Sequence, residues 1–511
     1  MRTPLTIADH LARAERVYPE RIAVVDEPDQ PAASLGTLTY RELGELARAQ
    51  AAALDDLGLD TGDRVAVLSH NAARLLISYF GVAAFGRVLV PINFRLNAEE
   101  IRFIVEHSGS RLLLVDPELV DVVAELDVET LVLGDDDERI FARGRQPRQW
   151  AAPDEDATAT INYTSGTTAR PKGVQITHRN LWLNAATFGW HVGVSDRDVY
   201  LHTLPMFHAN GWGMPFALTG MGVPQIVIRK IDGHEILRRI DRHGVTLLCA
   251  APAVVTAVLA AAAEVDEVPG HGRVRIVVAG APPPTATIER VETELGWEFI
   301  QLYGLTETSP LVTLNRAPQE WDGLSPAQRA ARLARQGPPA LGMDVTEDAE
   351  AEVLTRGNHV MEGYWEQPDK TAEVLADGWF HTGDGGFIDD EGHLTIVDRK
   401  KDVIISGGEN VSSIEVEDAL HARPAVEEVA VIGAPHERWG ETVVALVVPA
   451  RGRDDVTEQE LIDHCRERLA HYKCPTRVEL REALDRTATG KLQKFKLRAP
   501  FWEGHDASIK G

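Results

Sequence analysis

A chain of 511 residues is too long for one hydrophobic core and is expected to divide into about two to four units. Its 44% hydrophobic and 25% charged residues are those of a soluble globular protein. Its net charge of −26 excludes nonspecific nucleic-acid binding, which needs basic surface to displace counterions, so any phosphate-rich ligand must be met by local basic clusters.

The N-terminal run MRTPLTIADHLARAERVYPERIAVV has scattered charges and no apolar stretch of the kind a secretory signal needs. Strand-like runs (RVAVLS, RLLLVD, ETLVLG, PQIVIRK, VTLLCA, RIVVAG) then alternate with helical patterns such as TYRELGELARAQAAALDDLG, which predicts parallel α/β sheets. Between them lies YTSGTTARPKGV, residues 163–174, where Lys172 follows Gly166 at the distance found in Walker-type phosphate loops. Pro171 stands at that motif's second glycine, however, and Gly173 at its magnesium-binding Ser or Thr. The hydroxyls of Thr164, Ser165, Thr167 and Thr168, the amides around Gly166 and the Lys172 ammonium can still surround a polyphosphate.

Farther on, Val245 to Ala263 carries no charge and is long enough to span a bilayer, but Pro252 divides it into a buried strand and an Ala-rich helix, so no integral membrane segment is expected. From 378, short alternating strands and Gly-rich turns end in the charged run DRKKD, which suits a domain boundary. Beyond it, SSIEVEDALHA, VEEVAVIG, TVVALVVPA and TEQELIDHCRERLA form a compact α+β unit. Cys249, Cys465 and Cys474 make no CxxC pair, which argues for a reducing, cytoplasmic setting without a disulfide framework or zinc site.

YTSGTTARPKGV resembles the phosphate loop of the adenylate-forming superfamily, and further motifs in the same order extend the resemblance over essentially the whole chain. VVAGAPP resembles the loop along the adenine (Gly280, Ala281, Pro282), and QLYGLTETSP the adenine and magnesium motif. The resemblance implies that Tyr303 stacks on the base beside Gly304, that Thr306 meets the α-phosphate, and that Glu307 holds Mg²⁺ together with Thr164. GWFHTGD resembles the ribose motif, with Asp384 accepting from the hydroxyls, and VDRKKD the interdomain hinge, with Asp398 as pivot and Ile396 and Arg399 near the nucleotide. RTATGKLQKFKLR carries the family's catalytic lysine at Lys491, and ISGGENVSS (Gly407, Gly408, Glu409) the wall of a CoA tunnel.

The implied architecture is a large domain over 1–397, with parallel α/β sheets and a small barrel-like lobe, followed by a small mobile α+β domain over 398–511. The implied reaction makes acyl-AMP and pyrophosphate from a carboxylic acid and ATP, then acyl-CoA and AMP, with a homodimer admitted. His208 matches the position that orients the carboxylate, and Trp212, Met214 and Phe216 are candidate pocket or gate residues. Amino-acid-activating relatives carry an acidic residue where His208 stands, so the substrate is expected to lack an α-amino group and to present an apolar, fatty tail. Three readings stand beside this one: a benzoate-like aryl acid as substrate, loading of a separate carrier protein or a halt at acyl-AMP, and a nucleotide-binding regulator without turnover. Lys400, Lys401, Lys473 and Arg477 are candidates for the CoA phosphates. Two departures from the family pattern stand out: Asp485 in place of a proline, and a shortened strand-loop-strand at ALGMDVTEDAEAEVLTRG.

Overall fold

Two large sheets with parallel cores carry most of the chain. In the computed structural model the described residues are 2–164, 171–400, 402–406, 409–436, 438–453, 456–486 and 492–503. The seven-stranded sheet runs, from edge to edge, through strands Gly363–Tyr364, Lys172–Thr177, Thr158–Thr164, Val88–Ile92, Arg64–Leu68, Ser110–Val115 and Glu129–Val132. The eight-stranded sheet runs through Leu311–Arg316, Glu298–Gly304, Arg275–Val278, Leu247–Ala250, Tyr200–His202, Gln225–Val227, Ile22–Val25 and Thr37–Thr39. The parallel pairing expected from the sequence holds inside both sheets. Antiparallel strands close one edge of the first sheet and both edges of the second.

One of those antiparallel edges explains the departures from the Walker pattern. The strands Thr158–Thr164 and Lys172–Thr177 are the arms of a hairpin, and among the described residues the next helix begins at His178. A Walker loop instead runs from a strand directly into a helix. Thr177 caps that helix by accepting from Asn180 N, and the Asn180 side chain accepts from Thr177 N in return.

The helix Ala73–Ala83 is buried all round, as expected of a segment that is apolar on every face. Phe216 meets it with ring centroids 5.8 Å from Phe80 and 5.6 Å from Tyr79. Its one charged residue, Arg74, is neutralised by Asp137, which accepts from Nε at 2.9 Å. Proline opens the helix Pro252–Ala262, so the uncharged stretch is a strand and a short helix as anticipated. Among the described residues, no helix is long and apolar enough to cross a membrane.

The two sheets meet a four-stranded antiparallel sheet, Met343–Glu347, Glu352–Gly357, Phe380–Ile388 and Leu394–Arg399. This is the small lobe of the large unit, and the shortened segment still forms its first hairpin, from Met343↔Gly357 to Glu347↔Val353. A separate five-stranded sheet follows, with Gly440–Pro449 at its centre and the helices Ser413–His421 and Glu458–Arg466 packed around a core of their own.

Four histidines, the buried His178 and His202 and the half-buried His10 and His421, have pKa values lowered to about 4, because desolvation penalises the imidazolium. The unfolded chain takes up these protons near 6.5, so folding stability is fully present above that pH and declines as pH falls towards 4. The urea midpoint is expected to drop across this window and to flatten in a His202→Gln variant. An unchanged slope in that variant would count against the assignment.

Candidate active site

The phosphate-loop residues that can be placed lie at the loop end of the hairpin. Thr164 and Lys172 are direct cross-strand partners, so their side chains leave the same face of the sheet. Gly173 must be glycine for packing. A Cβ there would come within 2.9 Å of Ile161 and 3.3 Å of Trp365, and Trp365 N donates to Gly173 O at 2.7 Å. The residue that departs from the Walker pattern thus lets an indole cover the strand. Ser165, Gly166, Thr167 and Thr168 lie outside the described residues.

Glu307 arrives from the other large sheet, on the short turn Thr306–Thr308 after the strand Glu298–Gly304. Gly304 permits that turn, since a Cβ would strike the Pro310 carbonyl oxygen. Asn180, at the start of the helix after the hairpin, donates to the carbonyls of Asn358 and Val360 at 2.8 and 3.0 Å. That fixes the segment leading to Tyr364, in which Met361 N donates to Glu307 O at 2.7 Å. The Tyr364 hydroxyl donates to Glu307 Oε1 at 2.9 Å, and the Lys172 ammonium lies 4.7 Å from the Tyr364 ring centroid. Tyr364 therefore joins the hairpin lysine to the glutamate of the other sheet. Burial, with help from Lys370, lowers the Lys172 pKa, and Glu307 opposes that shift. Sequence reasoning missed Tyr364, because MEGYWEQPDK carries no local pattern that marks it.

A second grouping forms at the small lobe. The Tyr303 hydroxyl donates to Asp384 Oδ2 at 2.7 Å, and Arg399 Nε lies 3.6 Å from Asp384 Oδ1. Asp384 and Arg399 are cross-strand partners, and Asp384 is 6% exposed. Burial and the Asp384 charge raise the Tyr303 pKa well above that of an ordinary phenol, so Tyr303 remains a donor. Ile396 N donates to Gln336 Oε1 at 2.6 Å, which ties the same strand to the segment after the helix Pro326–Leu333. Gly280, Ala281 and Pro282 form an exposed loop, with Gly280 at φ +98°.

The segment HANGWG adopts an unusual backbone. Ala209, Asn210, Gly211 and Trp212 have φ of 36°, 47°, 57° and 60°, a left-handed turn that costs about 1–3 kcal/mol at each non-glycine position. Asn210 Nδ2 donates to Thr160 Oγ1 at 2.9 Å and Asn184 Nδ2 to Trp212 O at 3.3 Å, and these bonds hold the turn. His208 begins it and is half-buried beside Phe207. Trp212 is 4% exposed and packs in a cluster with Phe188, Leu204, Cys249 and Leu302. Met214 and Phe216 are fully buried and belong to the core, not to a gate.

In the smaller unit, Glu409 is exposed and pairs with Ser406 in a hairpin; Gly407, Gly408 and Lys491 lie outside the described residues. The cations expected to serve CoA are occupied by carboxylates: Lys400 by Glu350 at 2.9 Å, Lys473 by Glu415 at 2.7 Å, and Arg477 by Glu479. Lys401 lies outside the described residues. Asp485 accepts from Gln493 N at 2.8 Å, beside a bridge between Arg486 and Leu492, so that backbone pairing stands where the family's proline would.

Residues 11–365 match the family model of the AMP-binding enzymes, and residues 415–491 that of the AMP-binding enzyme C-terminal domain. The chain is 38% identical to 4-hydroxybutyrate–CoA ligase 2 of Metallosphaera sedula, over 97% of this chain and 94% of that protein. It is also 38% identical to 2-methylpropanoate–CoA ligase of Humulus lupulus, over 97% and 95%. Among solved structures it resembles o-succinylbenzoate CoA synthetase from Bacillus subtilis in complex with an acyl-adenylate intermediate. The TM-score there is 0.81, with 30% identity over 96% of this chain and 97% of that one.

Tyr364→Phe keeps the ring beside Lys172 and deletes the hydroxyl. A hydrogen bond to a charged group is worth about 1.5–3 kcal/mol, so ATP binding in the presence of Mg²⁺ should weaken by about tenfold or more in calorimetric titration. An unchanged Kd would remove Tyr364 from the site.

Proposed function

The chain belongs to the AMP-binding enzyme family, within the adenylate-forming superfamily, and we propose that it activates a small apolar carboxylic acid with ATP and transfers the acyl group to CoA. The observation that carries this reading is the meeting of the hairpin (Thr164, Lys172) with Glu307, while Tyr303, Asp384 and Arg399 gather at the small lobe. In the first half-reaction a carboxylate oxygen bonds to the α-phosphorus as the bond to pyrophosphate breaks. In the second, a thiolate bonds to the acyl carbon and AMP leaves with the electron pair.

This chain's own residues divide the work. Lys172 meets the outer phosphates, and Asp384 and Arg399 hold the ribose beside Tyr303. Thr164 and Glu307 offer hard oxygen donors suited to Mg²⁺, which would neutralise phosphate charge when bound. Lys491, delivered by the smaller unit pivoting at Asp398, stabilises charge at the α-phosphate during the first half-reaction and withdraws for the second. Residues 1–397 and 398–511 are the two bodies of that motion, and Gly407, Gly408 and Glu409 the wall past which the thiol enters.

For the acid, HANGWG carries no carboxylate to pair with an amine, and its Trp212 indole is buried among apolar side chains. Relatives named for 4-hydroxybutyrate and 2-methylpropanoate support a short aliphatic acid over a long fatty one. An aryl acid is the second reading, supported by a relative named as a benzoate–CoA ligase.

Acid-dependent exchange of labelled pyrophosphate into ATP is expected, fastest with short straight and branched acids, slower with benzoates and slowest with long-chain acids. Net AMP release should require CoA. Absence of exchange across this panel would leave a nucleotide-binding regulator as the better account. Lys491→Ala should slow adenylation by about 10²–10³-fold yet leave thioester formation from supplied acyl-AMP nearly intact. Equal loss in both half-reactions would contradict the swing of the smaller unit.

A further inference from the structure

Where the four-stranded sheet passes into the smaller unit, Asp398 is 3% exposed and fully engaged. Its Oδ1 accepts from Arg399 N at 2.8 Å, and its Oδ2 from Ser413 N at 2.9 Å and from the Ser413 hydroxyl. Ser413 is the first residue of the helix Ser413–His421, so the aspartate also meets the positive end of that helix. The Ser413 oxygen in turn accepts from Lys494 Nζ. Lys494 reaches on to Glu417 Oε1 at 2.8 Å, one turn along the helix, and the same oxygen accepts from Val431 N at 2.7 Å. The Lys494 and Glu417 side chains are only 14% and 15% exposed. Burial works against the Lys494 charge, but Glu417 and Asp398 outweigh it and raise its pKa.

The Lys494 ammonium has three N–H donors, and it directs one to Glu417 and another to the hydroxyl that also serves Asp398. Lys494 stands three residues after Lys491, at the head of the helix Lys494–Trp502, and the relay joins that point to the lobe junction over 96 positions of chain. A buried ion pair of this kind is weak evidence of net stability, because desolvation offsets its Coulombic gain. Resting on the roles given above to Asp398 and Lys491, we propose that Lys494 is a positioning residue for adenylation. Through Ser413 it ties the head of the helix Lys494–Trp502, three residues beyond Lys491 in the chain, to the pivot.

The test removes both charges at once, in Lys494→Met/Glu417→Gln, so that no unpaired ion stays buried. The half-reactions are measured separately, with 2-methylpropanoate as the acid and 2-methylpropanoyl-AMP as the supplied intermediate. Adenylation kcat is expected to fall by about tenfold or more with little change in KM for ATP, while thioester formation changes by less than about twofold. Lys494→Arg should recover most of the adenylation rate. Wild-type adenylation in the double variant, or equal loss in both half-reactions, would overturn the proposal. If the wild-type protein itself shows no exchange with any acid of the panel, the adenylation reading fails, and the role of Lys494 fails with it.

Discussion

A polyphosphate can be held by a protein of net charge −26 only where a few cations are sheltered from the protein's own carboxylates. Tyr364 provides that shelter here. Its ring faces the Lys172 ammonium while its hydroxyl occupies an oxygen of Glu307, so the two opposite charges are held near each other with an aromatic side chain between them. A direct pair would spend both on each other. The arrangement depends on the edges of two sheets meeting, which in turn depends on Asn180 pinning the segment before Tyr364.

The same economy governs the rest of the surface. Lys400, Lys473 and Arg477 are each matched with glutamate, so the cations expected to meet CoA phosphates are committed in this arrangement. Any phosphate reaching them would have to compete with those carboxylates. Exposed pairs of this kind are worth little, about 0–1 kcal/mol, so such competition costs little. The buried chain from Asp398 through Ser413 to Lys494 and Glu417 differs in kind, because its charges are withdrawn from water and its geometry is set by one helix turn. Strain is likewise concentrated: the left-handed turn at 209–212 sits beside the proposed acid site, held by Asn184 and Asn210 rather than by its own local preference.

The order of strands and helices, the divided apolar stretch at 245–263 and the motifs carrying Thr164, Lys172, Glu307, Tyr303, Asp384 and Arg399 were all legible along the chain. Each is written in contiguous residues: a period of two or 3.6, a proline at a helix start, a short run of small and hydroxylated residues. What the sequence by itself determined is therefore the family, together with the residues proposed to meet the nucleotide. Tertiary structure alone decided that Met214 and Phe216 are core, that Tyr364 couples Lys172 to Glu307, and that Lys494 is tied to the lobe junction. The physical reason is distance along the chain. The Tyr364–Glu307 bond joins residues 57 positions apart and the Ser413–Lys494 bond residues 81 apart, and no local pattern records a contact that exists only once the sheets have packed.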